Sequence, residues 1–112
     1  MARRQVFWHE TEGDEVREAA LIEDDGLVAI EECSSGRLTE GVFGALSYRR
    51  SVTLADDEVR LRACCALRRG SAPSALIRLL AWFYATCAGR LVDIEDILDE
   101  AGVEYAYTAC PV

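Results

Sequence analysis

The chain has 112 residues and a mass of 12.4 kDa, the size of one domain, and 51% apolar with 29% charged residues excludes a disordered tail or a collagen-like fibre. Residues 79–88 form the longest apolar stretch, well short of the roughly 20 residues that cross a bilayer, and no basic start leads into an apolar run as in a secretory signal. A cytosolic (cytoplasmic) protein with no membrane partner is the expectation.

The formal net charge is −8, and all twelve basic residues are arginine. Residues 10–40 hold eleven carboxylates against Arg17 and Arg37; residues 47–90 hold eight arginines against Asp56, Asp57 and Glu58; residues 93–104 hold six carboxylates and no base. Phosphate binding needs a basic footprint, so direct nucleic-acid binding is not expected of the N-terminal half. An acidic surface steers instead toward a basic one.

Residues 5–10 are rich in β-branched and aromatic side chains and end at Thr11-Glu12-Gly13-Asp14, which predicts a strand and a turn. Residues 15–23 and 27–32 flank Asp24-Asp25-Gly26, a strong hairpin signal because glycine accepts the positive φ of a tight turn. Cys33-Ser34-Ser35-Gly36 is expected to break the third strand. Residues 37–44 read as a glycine-punctuated connection and residues 46–52 as a fourth strand.

Helical signals follow. Thr53 precedes an acidic first turn, Arg68 and Arg69 fill the end and Gly70 closes, so residues 54–69 read as a helix, with an alternating strand as the competing reading. Ser71-Ala72-Pro73-Ser74 announces a second helix over 75–88, apolar nearly all round and therefore expected at the centre of the core. Asp93 is expected to cap a third, whose Ile94, Ile97, Leu98 and Ala101 form an apolar stripe before Gly102. Residues 103–108 read as a short closing strand.

The run Asp25-Gly26-Leu27-Val28-Ala29-Ile30-Glu31, with Phe43-Gly44, Tyr48 and the stretch from Ile97 through Gly102 to Tyr105, resembles small proteins of high-GC actinobacteria that carry no assigned function. The resemblance implies an α+β fold.

Motifs for chemistry are sparse. Five cysteines include no Cys-x-x-Cys pair, so neither a zinc site nor a disulfide framework is expected; the thiols read as free, with Cys65 and Cys87 in the core. His9 is the sole imidazole, and nothing in the sequence brings it to Cys33 or Cys110 as nucleophilic catalysis would require. Gly36, Gly41 and Gly44 match no phosphate loop. No cofactor is implied.

The reading is one α+β domain over residues 1–112: an antiparallel meander of three to four strands packed against two to three helices, with a short C-terminal strand. Its expected role is that of a small acidic, non-enzymatic interaction module that blocks a basic protein. Toxin-immunity proteins and phage anti-defence proteins, anti-CRISPR proteins among them, act in this way. Glu12, Glu23, Asp24, Asp25, Glu31 and Glu32 are the expected partner-binding residues. The alternative is an enzyme or small-ligand-binding domain whose pocket is assembled from distant segments.

Overall fold

The computed structural model describes residues 2–112. Strands β1 (Arg3–Glu12), β2 (Glu15–Asp24), β3 (Leu27–Ser35), β4 (Ser47–Leu54) and β5 (Ala106–Pro111) form one antiparallel sheet in chain order. Helix α1 (Arg37–Phe43) lies between β3 and β4, and α2 (Asp57–Leu67), α3 (Leu76–Thr86) and α4 (Leu91–Ala101) lie between β4 and β5. The α+β class and the antiparallel meander match the sequence reading; the five strands are a four-stranded meander plus the closing strand, whereas four helices exceed the two to three expected, α1 being the addition.

The turns explain the meander. At the β2–β3 hairpin, Asp25 and Gly26 have φ of 51° and 88°, the two positive values that a tight two-residue turn needs to match strand twist. β3 does not break at Cys33: residues 33–35 continue the ladder to β2 and β4. The chain turns only at Gly36, where φ is 132° and an added Cβ would collide with the Glu15 side chain and the backbone of Asp14 and Glu15. The expected loop over 37–44 is helical to Phe43, and Gly44 closes it in the left-handed conformation with its N–H on the Glu40 carbonyl (2.8 Å). Seven residues with an internal glycine are too few for periodicity to register.

One face of the sheet carries the helices. Ala19 and Leu21 of β2, Val28 and Ile30 of β3 and Val52 and Leu54 of β4 point to that side and are buried with Leu79, Leu80, Phe83 and Tyr84 of α3, Leu91, Ile94 and Leu98 of α4 and Leu67 of α2. Burying each such aliphatic side chain contributes roughly 1.5–3 kcal/mol. α3 lies over β1, α4 lies over β3 and β4, and α2 touches both helices. The helix expected at the centre of the core is thus a flank of the layer: α3 buries one side, and Arg78, Ala85 and Thr86 are exposed.

Helix boundaries shift for identifiable reasons. β4 continues through Leu54 because Val52 and Leu54 pair with Ile30 and Val28 in the core, so Asp56 rather than Thr53 caps α2, accepting the Val59 N–H at 2.9 Å. α2 ends at Leu67, before the arginines expected to close it. α4 begins at Leu91, two residues before the expected cap, and Asp93 reaches back to accept the Arg90 N–H (2.9 Å). Cys64, with Ala63 and Leu67, faces the core, whereas Cys65 and Cys87 are exposed, contrary to the sequence reading. The closing strand forms later than expected, at β5, as an edge paired to β4.

β1 contains a bulge between Val6 and Trp8. The extra residue turns two consecutive aromatics onto Tyr84: Phe7 edge-on at 5.0 Å and Trp8 tilted at 5.4 Å between ring centroids. An unbroken strand would send them to opposite faces.

Candidate functional site

The six acids expected to form one binding surface are not brought together. Glu12 stands at the β1–β2 turn, and Glu23, Asp24 and Asp25 stand at the β2–β3 turn. These are opposite ends of a ten-residue strand, about 30 Å apart. Asp57, Arg3 and Arg60 share a shallow depression with Glu23, Asp24 and Asp25, so that end is partly neutralised by its own chain.

Glu31 and Glu32 are each only 8% exposed and engaged internally. Glu32 lies on the helix side, where its Oε2 accepts from the Tyr84 hydroxyl (2.8 Å) and the Leu91 N–H (2.5 Å) and its Oε1 lies 3.6 Å from Arg50. It therefore anchors the start of α4 to the sheet. The same carboxylate, together with burial, drives the Tyr84 hydroxyl far above its ordinary range; burial is the larger cause. Glu31 lies on the other face, 3.4 Å from Arg4 and 4.0 Å from Arg49.

That uncovered face carries an arrangement the sequence reading did not assemble. His9 pairs with Glu18, Glu18 with Cys33, Cys33 with Arg49 and Arg49 with Cys110, a row across all five strands. Strand pairing, invisible to local motifs, creates it. The row does not form a nucleophile and base: His9 and Cys33 are two strands apart, roughly 10 Å, and the Glu18 carboxylate is bonded to Arg4 at 2.7 Å. The Cys33 thiol is pushed up to about 11, first by burial and then by the charge and hydrogen bond of Glu31, which keeps it protonated and unreactive at neutral pH. Among the described residues, no group of three or more His, Cys, Asp or Glu side chains is placed to hold a metal ion.

A coherent acidic surface exists on α4 instead. Asp96, Asp99 and Glu100 are exposed, Glu95 is half-buried beside them and Glu104 follows the helix; no basic residue occurs after Arg90. Because α4 begins at Leu91, Asp96 lies beyond the first turn and gains little from the helix dipole. Asp99 and Glu100 lie in the last turn, where the dipole disfavours acids. Glu95–Asp99 and Asp96–Glu100 are like-charge pairs at i,i+4, which weaken a helix. The Glu95 carboxyl is held above its ordinary value by burial first, with Asp99 and Asp96 adding to the effect against Arg50.

A cavity of about 320 Å³ opens between α1, the β2–β4 strands and the start of α4. Arg17, Arg50 and Arg90 line it with Glu15 and Glu32, and Leu38, Val42, Phe43 and Val92 supply an apolar wall. Glu15 is buried and holds the start of α1, accepting from the Thr39 hydroxyl and from the Thr39 N–H (3.4 Å). The Arg50 guanidinium lies 5.5 Å over the Phe43 ring, which stacks on Tyr48 at 4.3 Å. Arg90 lies 4.2 Å over Trp8, donates to the carbonyls of Tyr84 and Gly89, and approaches Glu10 (3.8 Å).

The chain matches no protein-family model, no curated protein and no solved structure.

Proposed function

We propose that the chain is a small acidic interaction module that engages a basic protein, and that the outer face of α4 is its working surface. Concentrated acid set against the stability of its own helix carries this reading: like charges stand one turn apart, acids fill the last turn, and no base follows Arg90. Solubility alone would be served by acids scattered over the surface. The meander acids support the reading less well, because two are buried in internal pairs and the other four lie at opposite ends of β2. A partner whose own role depends on a basic surface, such as a nucleic-acid-binding or toxin protein, fits this chemistry.

The test compares two charge-reversed proteins. D96R/E100R/E104R is expected to lose both a protein captured from the native host and a defined arginine-rich peptide, while E12R/E23R/D25R retains them. Binding by the wild type should weaken steeply as salt is raised. Retention of both ligands by the α4 variant would reject α4 as the surface; salt-independent binding would reject charge as the driving force.

A further inference from the structure

We propose that the cavity beneath α1 is a binding site for a small apolar carboxylate, separate from the α4 surface. Arg17 is the deciding residue. It is half-buried and lines the cavity, yet makes no hydrogen bond or ion pair among the described residues. Its cross-strand neighbour Glu10 turns its carboxylate to Arg90 instead. The two carboxylates within the cavity are also occupied, Glu15 by Thr39 and Glu32 by Tyr84, Leu91 and Arg50. A half-buried guanidinium without an internal acceptor leaves the charge-assisted hydrogen bonds that it favours unmade.

The wall points to the rest of the ligand. Of the seven residues of α1, only Thr39 is buried, whereas Leu38, Val42 and Phe43 line the cavity while exposed; Val42 is 66% accessible. Leu38 and Val42 are one turn apart on the helix and face the cavity rather than the core. Arg50 is paired with Glu32 and Arg90 with Glu10, so of the three guanidinium groups lining the cavity only Arg17 lacks a carboxylate partner among the described residues. The volume of the cavity is at the small end of ligand sites.

A monoanion suits this setting better than a phosphate dianion. An adjoining cavity on the other side of Arg17 is lined by Glu10, Glu12 and Asp14, whose field penalises a second negative charge. The first N–H of α4 is already taken by Glu32, so the anchor is the guanidinium and not the helix end. The ligand class is a carboxylate attached to an apolar body that lies along Leu38, Val42 and Phe43.

The test titrates the full chain with 4-phenylbutyrate and octanoate, against 4-phenylbutyramide and inorganic phosphate, by amide chemical-shift mapping and calorimetry. Both acids are expected to bind with shifts centred on residues 17, 38–43 and 50, and the amide and phosphate at least about ten-fold more weakly, the scale of one charge-assisted hydrogen bond. R17Q should lose a similar factor while melting as the wild type does, because no internal carboxylate depends on Arg17. V42D, altered at an exposed position, should also bind the acids poorly, whereas D96R/E100R/E104R should bind them normally. A peptide ending in free phenylalanine is compared with N-acetyl-phenylalanine: tighter binding of the peptide assigns the carboxylate to a protein C-terminus, and equal binding assigns it to a free acid. The proposal is overturned if neither 4-phenylbutyrate nor octanoate binds at millimolar concentration, if the amide matches its acid, or if R17Q binds unchanged.

Discussion

Glu31 and Glu32 are neighbours in the chain and equally hidden, yet they belong to two different kinds of surface. Glu32 faces the helices, where two donors fix one oxygen and tie α4 to β3. Glu31 faces the uncovered side, held by Arg4 and Arg49, both over 40% exposed. One residue of register separates a carboxylate locked into the core from one held by solvent-screened arginines. Burial alone therefore does not measure how much a charged group matters to stability; the identity and exposure of its partners do.

The largest test of this contrast is apolar. Leu80→Ala, on the helix-covered side, should cost about 2–5 kcal/mol in urea denaturation, whereas Val6→Ala, 48% exposed on the open face, should cost less than about 0.5 kcal/mol. Equal losses would show that the open face is covered in solution.

The polar pair comes next. Tyr84→Phe removes a donor from buried Glu32 and should cost about 1.5–3 kcal/mol; Arg4→Gln removes a solvent-exposed partner of Glu31 and should cost less than about 1 kcal/mol. The reverse order would break the comparison.

Alkaline pH titrates both faces, because Cys64 and Tyr84 on the helix side are raised by burial as well, and the Cys33 variant isolates the open-face part. The Cys33 thiol is raised from its ordinary value near 9 to about 11, so the folded state holds this proton more tightly than the unfolded chain. Its contribution is fully present below pH 9 and is lost as pH rises toward 11. Cys33→Ser should flatten that part of the stability profile. In alkylation of the native protein at pH 8, exposed Cys65 and Cys87 should react before Cys33 and buried Cys64.

The smallest expected effect concerns α4. Glu100→Lys replaces an acid in the last turn by a base and creates an i,i+4 pair with Asp96. It should stabilise the fold by about 0.3–1 kcal/mol at low salt while weakening capture of a basic partner. A destabilised variant would show that the α4 acids serve the fold and not a ligand.

Much of the architecture was legible before the structure. Asp25-Gly26 specified a hairpin because its turn demands two positive φ values, and Gly102 specified the end of α4 for the same conformational reason. The alternating pattern over 54–69 suits a strand as well as a helix; α2 forms there because Asp56 caps it and its inner stripe of Ala63, Cys64 and Leu67 meets the neighbouring helices. The stripe also explains why Cys64 and not Cys65 is buried, a one-residue difference that corresponds to about 100° around the helix.

The candidate sites were less legible, because acidity is local in sequence whereas its use is not. The sequence by itself determined the meander, the acidic runs and the apolar content of the helices, all set by turn chemistry, composition and short-range periodicity. Only the tertiary structure decided that Glu32 anchors α4 while Glu31 faces away, that a bulge turns both Phe7 and Trp8 onto Tyr84, and that Arg17 meets the apolar side of α1. Each depends on strand register and on which face the helices cover, and these are settled by packing between segments far apart in the chain.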